Sequence, residues 1–220
     1  FFAENGIQPY NEETGRGLVR HIFLRRGAHS GQIMVCLVCT RPNLPHTDAL
    51  CTRLREQFAD IATILLNVNS KNTNVILGTE THTLYGPGYI EDTLCGVPVQ
   101  LGPLSFYQVN HDMAQQLYEK AAEYACLSGK ETVLDMYCGT GTIGLSMAKK
   151  AKRIIGAEIV PEAVLDAKRN ALENGIENAE FICADAGEAA QELSSRGIKP
   201  DVVLLDPPRK GCSEMLLAEI

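Results

Sequence analysis

No apolar run in these 220 residues approaches the roughly 20 needed to cross a bilayer. The opening stretch, FFAENG, lacks the basic and apolar regions of a secretory signal. A cytoplasmic protein with no membrane contact is therefore expected. The chain also lacks an initiator Met and stops inside the helix-like stretch SEMLLAEI, so a fragment of a longer protein is expected. Metal-style cysteine spacing is scarce. Of eight cysteines, only Cys36 and Cys39 form C-x-x-C, and residues three apart on a strand face opposite ways. Buried thiols in a reducing compartment are the expectation. Positive charge is in short supply too, and a net charge of −7 disfavours a wholly electrostatic nucleic-acid binder. Yet Arg16, Arg20, Arg25 and Arg26 share the acid-free stretch 15–31. Such a run is either a solvated face or a strand that touches phosphates, and the sequence leaves both open.

What is present falls into two patterns, with no internal repeat or low-complexity segment. Residues 1–110 hold an α+β region. GLVRHIFLRRG, GQIMVCLVCT and TNVILGTETHTLYG have the β-branched, partly alternating character of strands. HTDALCTRLREQFAD between the second and third has helical spacing, with Thr47 or Asp48 as the expected N-cap. Residues 111–220 alternate regularly. A helix over DMAQQLYEKAAEYACL precedes the strands TVLDMY, RIIGAEI, AEFICAD and DVVLLD, with helices between them. Alternation of this kind predicts an α/β fold, a parallel Rossmann-like sheet covered on both faces.

Two features locate a site on that sheet. Val202 to Leu205 run into Asp206-Pro207-Pro208-Arg209, and prolines cannot donate ladder hydrogen bonds, so the strand ends at Asp206. Ligands of open parallel sheets bind beyond the carboxyl ends of strands. The aspartate either serves such a site or caps the next helix. The second feature is Gly139, Gly141 and Gly144, a G-x-G-x-x-G between a strand and a helix, with Glu158 ending the next strand. Glycines there permit a tight turn and close approach of a ligand to backbone N–H groups, and Glu158 is placed to accept hydrogen bonds from ribose hydroxyls. A nicotinamide dinucleotide and S-adenosylmethionine both fit this much. Asp135, Glu158, Asp185 and Asp206 all fall near strand ends, and four acids on one rim favour a cationic sulfonium over an anionic pyrophosphate.

The blocks SFYQVN (105–110), VLDMYCGTGTIGL (133–145), GAEIVPEAVLDAKRNALENGI (156–176) and DPPRKG (206–211) resemble, in order and spacing, the RNA 5-methyluridine (uracil-C5) methyltransferases. That resemblance implies an S-adenosylmethionine-dependent methyltransferase sheet, truncated in its C-terminal half and preceded by a smaller RNA-facing region. It implies 23S rRNA as the substrate, with tRNA as the alternative. Gln108 then matches a cofactor contact, Tyr137 and Thr142 line the methionine and adenosine parts beside Gly139 and Gly141, and Glu158 matches the ribose acid. Asp185 matches a residue near the adenine, and Asp206 one between cofactor and target base. The family adds a cysteine thiolate to uracil C6 to make C5 nucleophilic, then removes the C5 proton with a glutamate. Those two residues are expected beyond Ile220, and Cys212 and Cys138 are expected to be packing residues. The fragment alone is then expected to be inactive. An N-terminal barrel, or in some members an iron–sulfur cluster, is expected before Phe1, and this chain shows no such ligand set. Two other classes stand beside this reading. A nicotinamide oxidoreductase leaves SFYQVN and DPPR unexplained, and a non-catalytic RNA-binding module accounts for a chain without its nucleophile.

Overall fold

In the computed structural model, which describes residues 1–219, contacts divide the chain into units Phe1–Asp92 and Thr93–Ile220. The division falls earlier than the change of sequence pattern near residue 110.

In the first unit, β1 (Val19–Arg26) pairs antiparallel with β2 (Ile33–Cys39). A crossover through α1 (Thr47–Gln57) brings β3 (Ile61–Val68) parallel to β2, and β4 (Glu80–Tyr85) closes the sheet antiparallel to β3. The order is β1-β2-β3-β4. Val35, Leu37, Ile64 and Leu66 pack with Leu50 and Cys51 of α1 in one core. Cys36 and Cys39 are both buried, and burial pushes each thiol up to about 11, far from the thiolate that metal or redox chemistry needs.

The first unit departs from the expected pattern in three places. β3 is an additional strand, buried on both faces and therefore without alternation. The strand expected over 73–86 forms only in its second half, and Val75 and Ile76 lie in a loop, 61% and 48% exposed. Buried Asn67 and Asn69 hold that loop, donating to the carbonyls of Gly78 (2.8 Å) and Val75 (2.7 Å) in place of a ladder. Finally, α1 starts from a left-handed His46 (φ 58°) with no side-chain cap, while Thr47 Oγ1 donates backwards to the Leu44 carbonyl (2.6 Å).

The second unit contains most of a two-stranded hairpin, β5 (Ile90–Leu94) and β6 (Val97–Leu101). Its turn is Cys95-Gly96, both at positive φ (51° and 73°), the combination that suits a two-residue hairpin. There follow α2 (His111–Ala125), β7 (Thr132–Met136), α3 (Thr142–Met147), β8 (Arg153–Glu158) and α4 (Pro161–Glu173). β9 (Ala179–Cys183), α5 (Ala186–Ser195), β10 (Val202–Leu205) and α6 (Glu214–Glu219) complete it. The four long-range strands are all parallel, in the order β10-β7-β8-β9. This is the parallel Rossmann-like sheet expected from the alternation. α5 and α6 pack on Leu134, Met136, Ile155 and Ala157, while α2 residues and Met147 pack on Val133 and Ile154 from the other face. β6 sits with this unit because Asn174, the C-cap of α4, donates to the Pro98 carbonyl (2.7 Å) and Asn170 of α4 accepts the Gln100 N–H (2.7 Å). Among the described residues no helix is long and apolar enough to cross a membrane.

Strand order reverses between β7 and β10. From β7 the chain steps to β8 and β9 on one side, then returns to place β10 on the other. A crevice at such a switch point is where open α/β sheets hold ligands.

Asp135 lies in β7 beside that crevice, 1% exposed, and accepts the Gly144 N–H (2.9 Å). Burial pushes its carboxyl from 3.8 up to about 7, and the Asp206 and Glu158 carboxylates add to the shift. Between those values the folded chain keeps a proton that the unfolded chain has released, so this group's contribution to stability falls as pH rises. Asp135→Asn keeps an acceptor for Gly144 and cannot ionise. Its stability relative to the wild type should rise by up to about 1.4 kcal/mol per pH unit from about pH 4 to 7, then level off. Urea unfolding of both proteins across that range checks this, and a pH-independent difference would contradict the raised carboxyl.

Candidate functional site

The site is built on the turn that follows β7. Tyr137, the first residue past the strand, holds a left-handed conformation (φ 62°), which costs a bulky residue about 1–2 kcal/mol. Strain of this kind concentrates at ligand clamps. Beyond it the backbone folds inward. The Cys138 N–H donates to the Ala157 carbonyl (3.0 Å) and Gly139 N–H to Glu158 Oε2 (3.0 Å). The Gly141 N–H donates to the Cys138 carbonyl (2.8 Å) and Gly144 N–H to Asp135 Oδ2 (2.9 Å). A pyrophosphate is held by donors of this type at a helix start. Here all three motif glycines donate to the protein itself, two of them to carboxylates.

The glycines have different reasons to be glycine. A Cβ on Gly141 would lie 2.9 Å from the Phe181 ring, and one on Gly144 would lie 2.8 Å from Ile154, so both permit close packing of α3 and its neighbours. Gly139 (φ 54°) would meet nothing within 4 Å, so it is the glycine whose free side faces open space.

The acids also separate into roles. Asp135 does not stand on the rim with the others. It is buried in the strand, and the exclusion of water there pushes its carboxyl up to about 7. The expected set of four rim carboxylates is corrected to three. Glu158 is half-buried and fastens the loop, with Oε1 accepting the Val160 N–H (2.9 Å) and Oε2 the Gly139 N–H. Carboxylate oxygens have further lone pairs to offer a ligand. Asp185 is exposed and caps α5, its Oδ1 accepting the Gly187 N–H (2.9 Å). Asp206 is exposed at the end of β10, across the switch point from the glycine loop.

Tyr118 of α2 draws several of these residues together, and sequence inspection did not single it out. It is 5% exposed, and its hydroxyl lies toward the Thr142 and Gln108 side chains, both of which act on its titration. Burial pushes that hydroxyl up, and Asp206 and Asp135 lie near enough to push it further. In the sequence Tyr118 is one more member of a helix's apolar stripe, and nothing local names its partners. Tyr118 and Asp206 also share the wall of a cavity of about 380 Å³ along β10, with Leu117, Ile143 and Leu204. Tyr137 forms a second group with Asp185 and Cys212, the Cys212 thiol meeting the Tyr137 hydroxyl. Cys138 is buried among Leu145, Val164 and Phe181, and burial pushes its thiol sharply up.

These residues suit S-adenosylmethionine better than a dinucleotide. They offer an open face over Gly139 and three accessible carboxylates for a cation. The Thr140 hydroxyl is buried and has no partner among the described residues.

In the first unit the basic run divides. Arg20 is structural, since its Nη1 donates to the carbonyls of Asn69 (2.9 Å) and Lys71 (2.6 Å) and its guanidinium lies 4.7 Å over the Tyr10 ring. Arg25 stacks 5.4 Å from the Phe23 ring, while Arg16 and Arg26 are exposed.

The chain is similar to known proteins. A methyltransferase-domain family model matches residues 127–212. A protein of Staphylococcus epidermidis named as an RNA methyltransferase is 45% identical over 99% of this chain and 48% of its own length. One of Halalkalibacterium halodurans, named likewise, is 46% identical over 99% of this chain and 47% of its own length. The chain thus spans about half the length of the curated relatives it matches. Among solved structures, the Pyrococcus abyssi tRNA (uracil-54, C5)-methyltransferase bound to S-adenosyl-L-homocysteine superposes with TM-score 0.81 and 29% identity. It covers all of this chain with 51% of its own. The likeness runs through both units and not through the methyltransferase domain alone: the chain is similar, over almost its whole length, to proteins named as RNA methyltransferases.

Proposed function

We propose that this chain forms the S-adenosylmethionine-binding part, and an RNA-facing part, of an enzyme that methylates C5 of a uridine in 23S rRNA. The observation that carries the cofactor reading is the glycine loop, with its N–H groups bonded to Glu158, Asp135 and backbone while Gly139 opens to a ligand. When bound, S-adenosylmethionine supplies an electrophilic methyl group. Glu158 accepts from the ribose hydroxyls, Asp185 lies toward the adenine, and Gln108, Tyr137, Gly139, Gly141 and Thr142 line the rest. Asp206 stands where cofactor and uracil meet, on the open side of the switch point. Residues 111–220, together with Gln108, carry this chemistry, and the rest of residues 1–110 face the RNA through Arg16 and Arg26. The thiol that adds to uracil C6, and the base that removes the C5 proton, belong to the remainder of the longer protein, so the 220 residues alone are inactive. An RNA substrate and eight free cysteines fit a cytoplasmic enzyme. The likeness to the Pyrococcus abyssi enzyme favours tRNA as a second reading of the substrate.

Calorimetry on the intact protein should show saturable binding of S-adenosylhomocysteine and none of NAD, and the reverse result would sink the cofactor reading. Glu158→Ala should weaken S-adenosylhomocysteine binding by about 1–3 kcal/mol, since ribose hydroxyls and the Gly139 N–H lose their acceptor.

With 5-fluorouridine in the target RNA, the C5 substituent cannot leave as a proton. The intact protein should then stay covalently attached to the RNA through denaturation, and residues 1–220 should not. Cys212→Ser should leave that adduct intact. Nucleoside mass spectrometry of separately methylated 23S rRNA and tRNA distinguishes the two substrates.

Replacing Arg16 and Arg26 with Gln should weaken RNA binding across sequences and lower the salt slope by about 0.7 per lost phosphate contact on a single strand. Arg20→Gln should instead lower thermal stability, because its three partners hold the chain together. An unchanged salt slope in the double variant would leave this face merely solvated.

A further inference from the structure

We propose that Asp166 and Asn170, one turn apart on α4, are positioning residues that hold the Gln108 segment and the glycine loop in register for the cofactor. The proposal rests on the S-adenosylmethionine reading above. The two parts of the site come from distant stretches of chain. Gln108 follows β6, while Gly139 to Thr142 follow β7, and α4 lies between them.

The helix grips both. Ser105 is 3% exposed, and its hydroxyl donates to the Asp166 carboxylate while accepting the Gly102 N–H (2.9 Å). The turn 102–105 is thereby pinned to α4, three residues ahead of Gln108, whose amide meets the Tyr118 hydroxyl. Asn170 is fully buried. Its Oδ1 accepts the Gln100 N–H (2.7 Å) and its Nδ2 donates to the Thr140 carbonyl (3.2 Å). One side-chain amide thus joins the β6 backbone to the glycine-loop backbone. A turn further on, Glu173 accepts from Gln100 Nε2 (2.9 Å) and Asn174 donates to the Pro98 carbonyl (2.7 Å). Residues 166, 170, 173 and 174 share one face of a helix.

An apolar face would bury this segment without the desolvation cost of a carboxylate and an amide. What apolar contact cannot do is fix the segment along and across the helix, because it has no direction. Each hydrogen bond here specifies a single donor and acceptor, and the buried pair Ser105–Asp166 sets the point from which Gln108 extends. The turn lies in contact with the pair: a Cβ on Gly102 would be 3.4 Å from both Asp166 Oδ2 and Ser105 Oγ. Neither Asp166 nor Asn170 is assigned a contact with cofactor or substrate. They act through Gln108 and through the loop carbonyl of Thr140.

The test is a double-mutant cycle on S-adenosylhomocysteine affinity, measured by calorimetry on the intact protein. Ser105→Ala should weaken binding about tenfold, equivalent to about 1.4 kcal/mol, and Ser105→Thr, which restores the hydroxyl, should recover most of it. In a Gln108→Ala background, Ser105→Ala should cost less than about twofold more, because the residue it positions is gone. Asn170→Asp, isosteric but without the donor to Thr140, should weaken binding in either background. If Ser105→Ala does not fold, Asp166→Asn carries the same comparison. Full multiplication of the Ser105 and Gln108 effects overturns the proposal, as does a lowered Tm with unchanged affinity. A wild type that fails to bind S-adenosylhomocysteine takes down the cofactor reading and this proposal together, whereas wild-type binding with multiplicative variants overturns the positioning role alone.

Discussion

Two carboxylates, Asp135 and Glu158, set the shape of the cofactor end of this sheet by accepting the N–H groups of Gly144 and Gly139. Each acid comes from a different strand, β7 and β8, and each reaches the same turn. The turn is thereby tied to both strands at once, and α3 leaves it at a fixed angle. The close packing at Gly141 and Gly144 depends on that angle, since either position would clash if a Cβ were added. Burial of Asp135 is the cost of the arrangement. The proton it retains toward neutral pH removes much of the penalty, because a neutral carboxyl still accepts from Gly144.

The second unit's fold was legible because its physics is local. Continuous β-branched runs, Pro161 at a helix start and glycines after strands are all short-range signals, and the four parallel strands follow from them. In the first unit the local signals misled. Val75 and Ile76 have strand character, yet they sit in a loop because Asn67 in β3 and Asn69 just past it hold that loop. β3 is a central strand with both faces covered, so it gives no alternation to recognise.

The site divides along the same line. Positions next to strand ends could be placed from sequence, and Glu158, Asp185 and Asp206 do sit at the carboxyl end of the sheet. Side-chain depth could not. Asp135 lies inside β7, where Val133 to Met136 are all buried, whereas Asp185 and Asp206 lie beyond the ends of their strands and are exposed. Tyr118 and the Asp166–Asn170 pair were equally invisible, since their partners lie at Gln108, Thr142, Ser105 and Thr140, far away along the chain. Arg20 shows the converse: its charge suggests a phosphate contact, and its hydrogen bonds to two carbonyls assign it to the scaffold.

The inward-facing loop has a consequence for selectivity inside a cell. Many abundant metabolites pair adenosine with a phosphate chain, so a pocket that recognises adenosine alone would be occupied by them. A loop with free N–H groups would reward that chain. Here the Gly139, Gly144 and Gly141 N–H groups already donate to Glu158, Asp135 and the Cys138 carbonyl, so they are not free for an incoming phosphate. On the cofactor reading proposed above, a phosphate chain would gain nothing from these three donors, which are engaged before any ligand arrives.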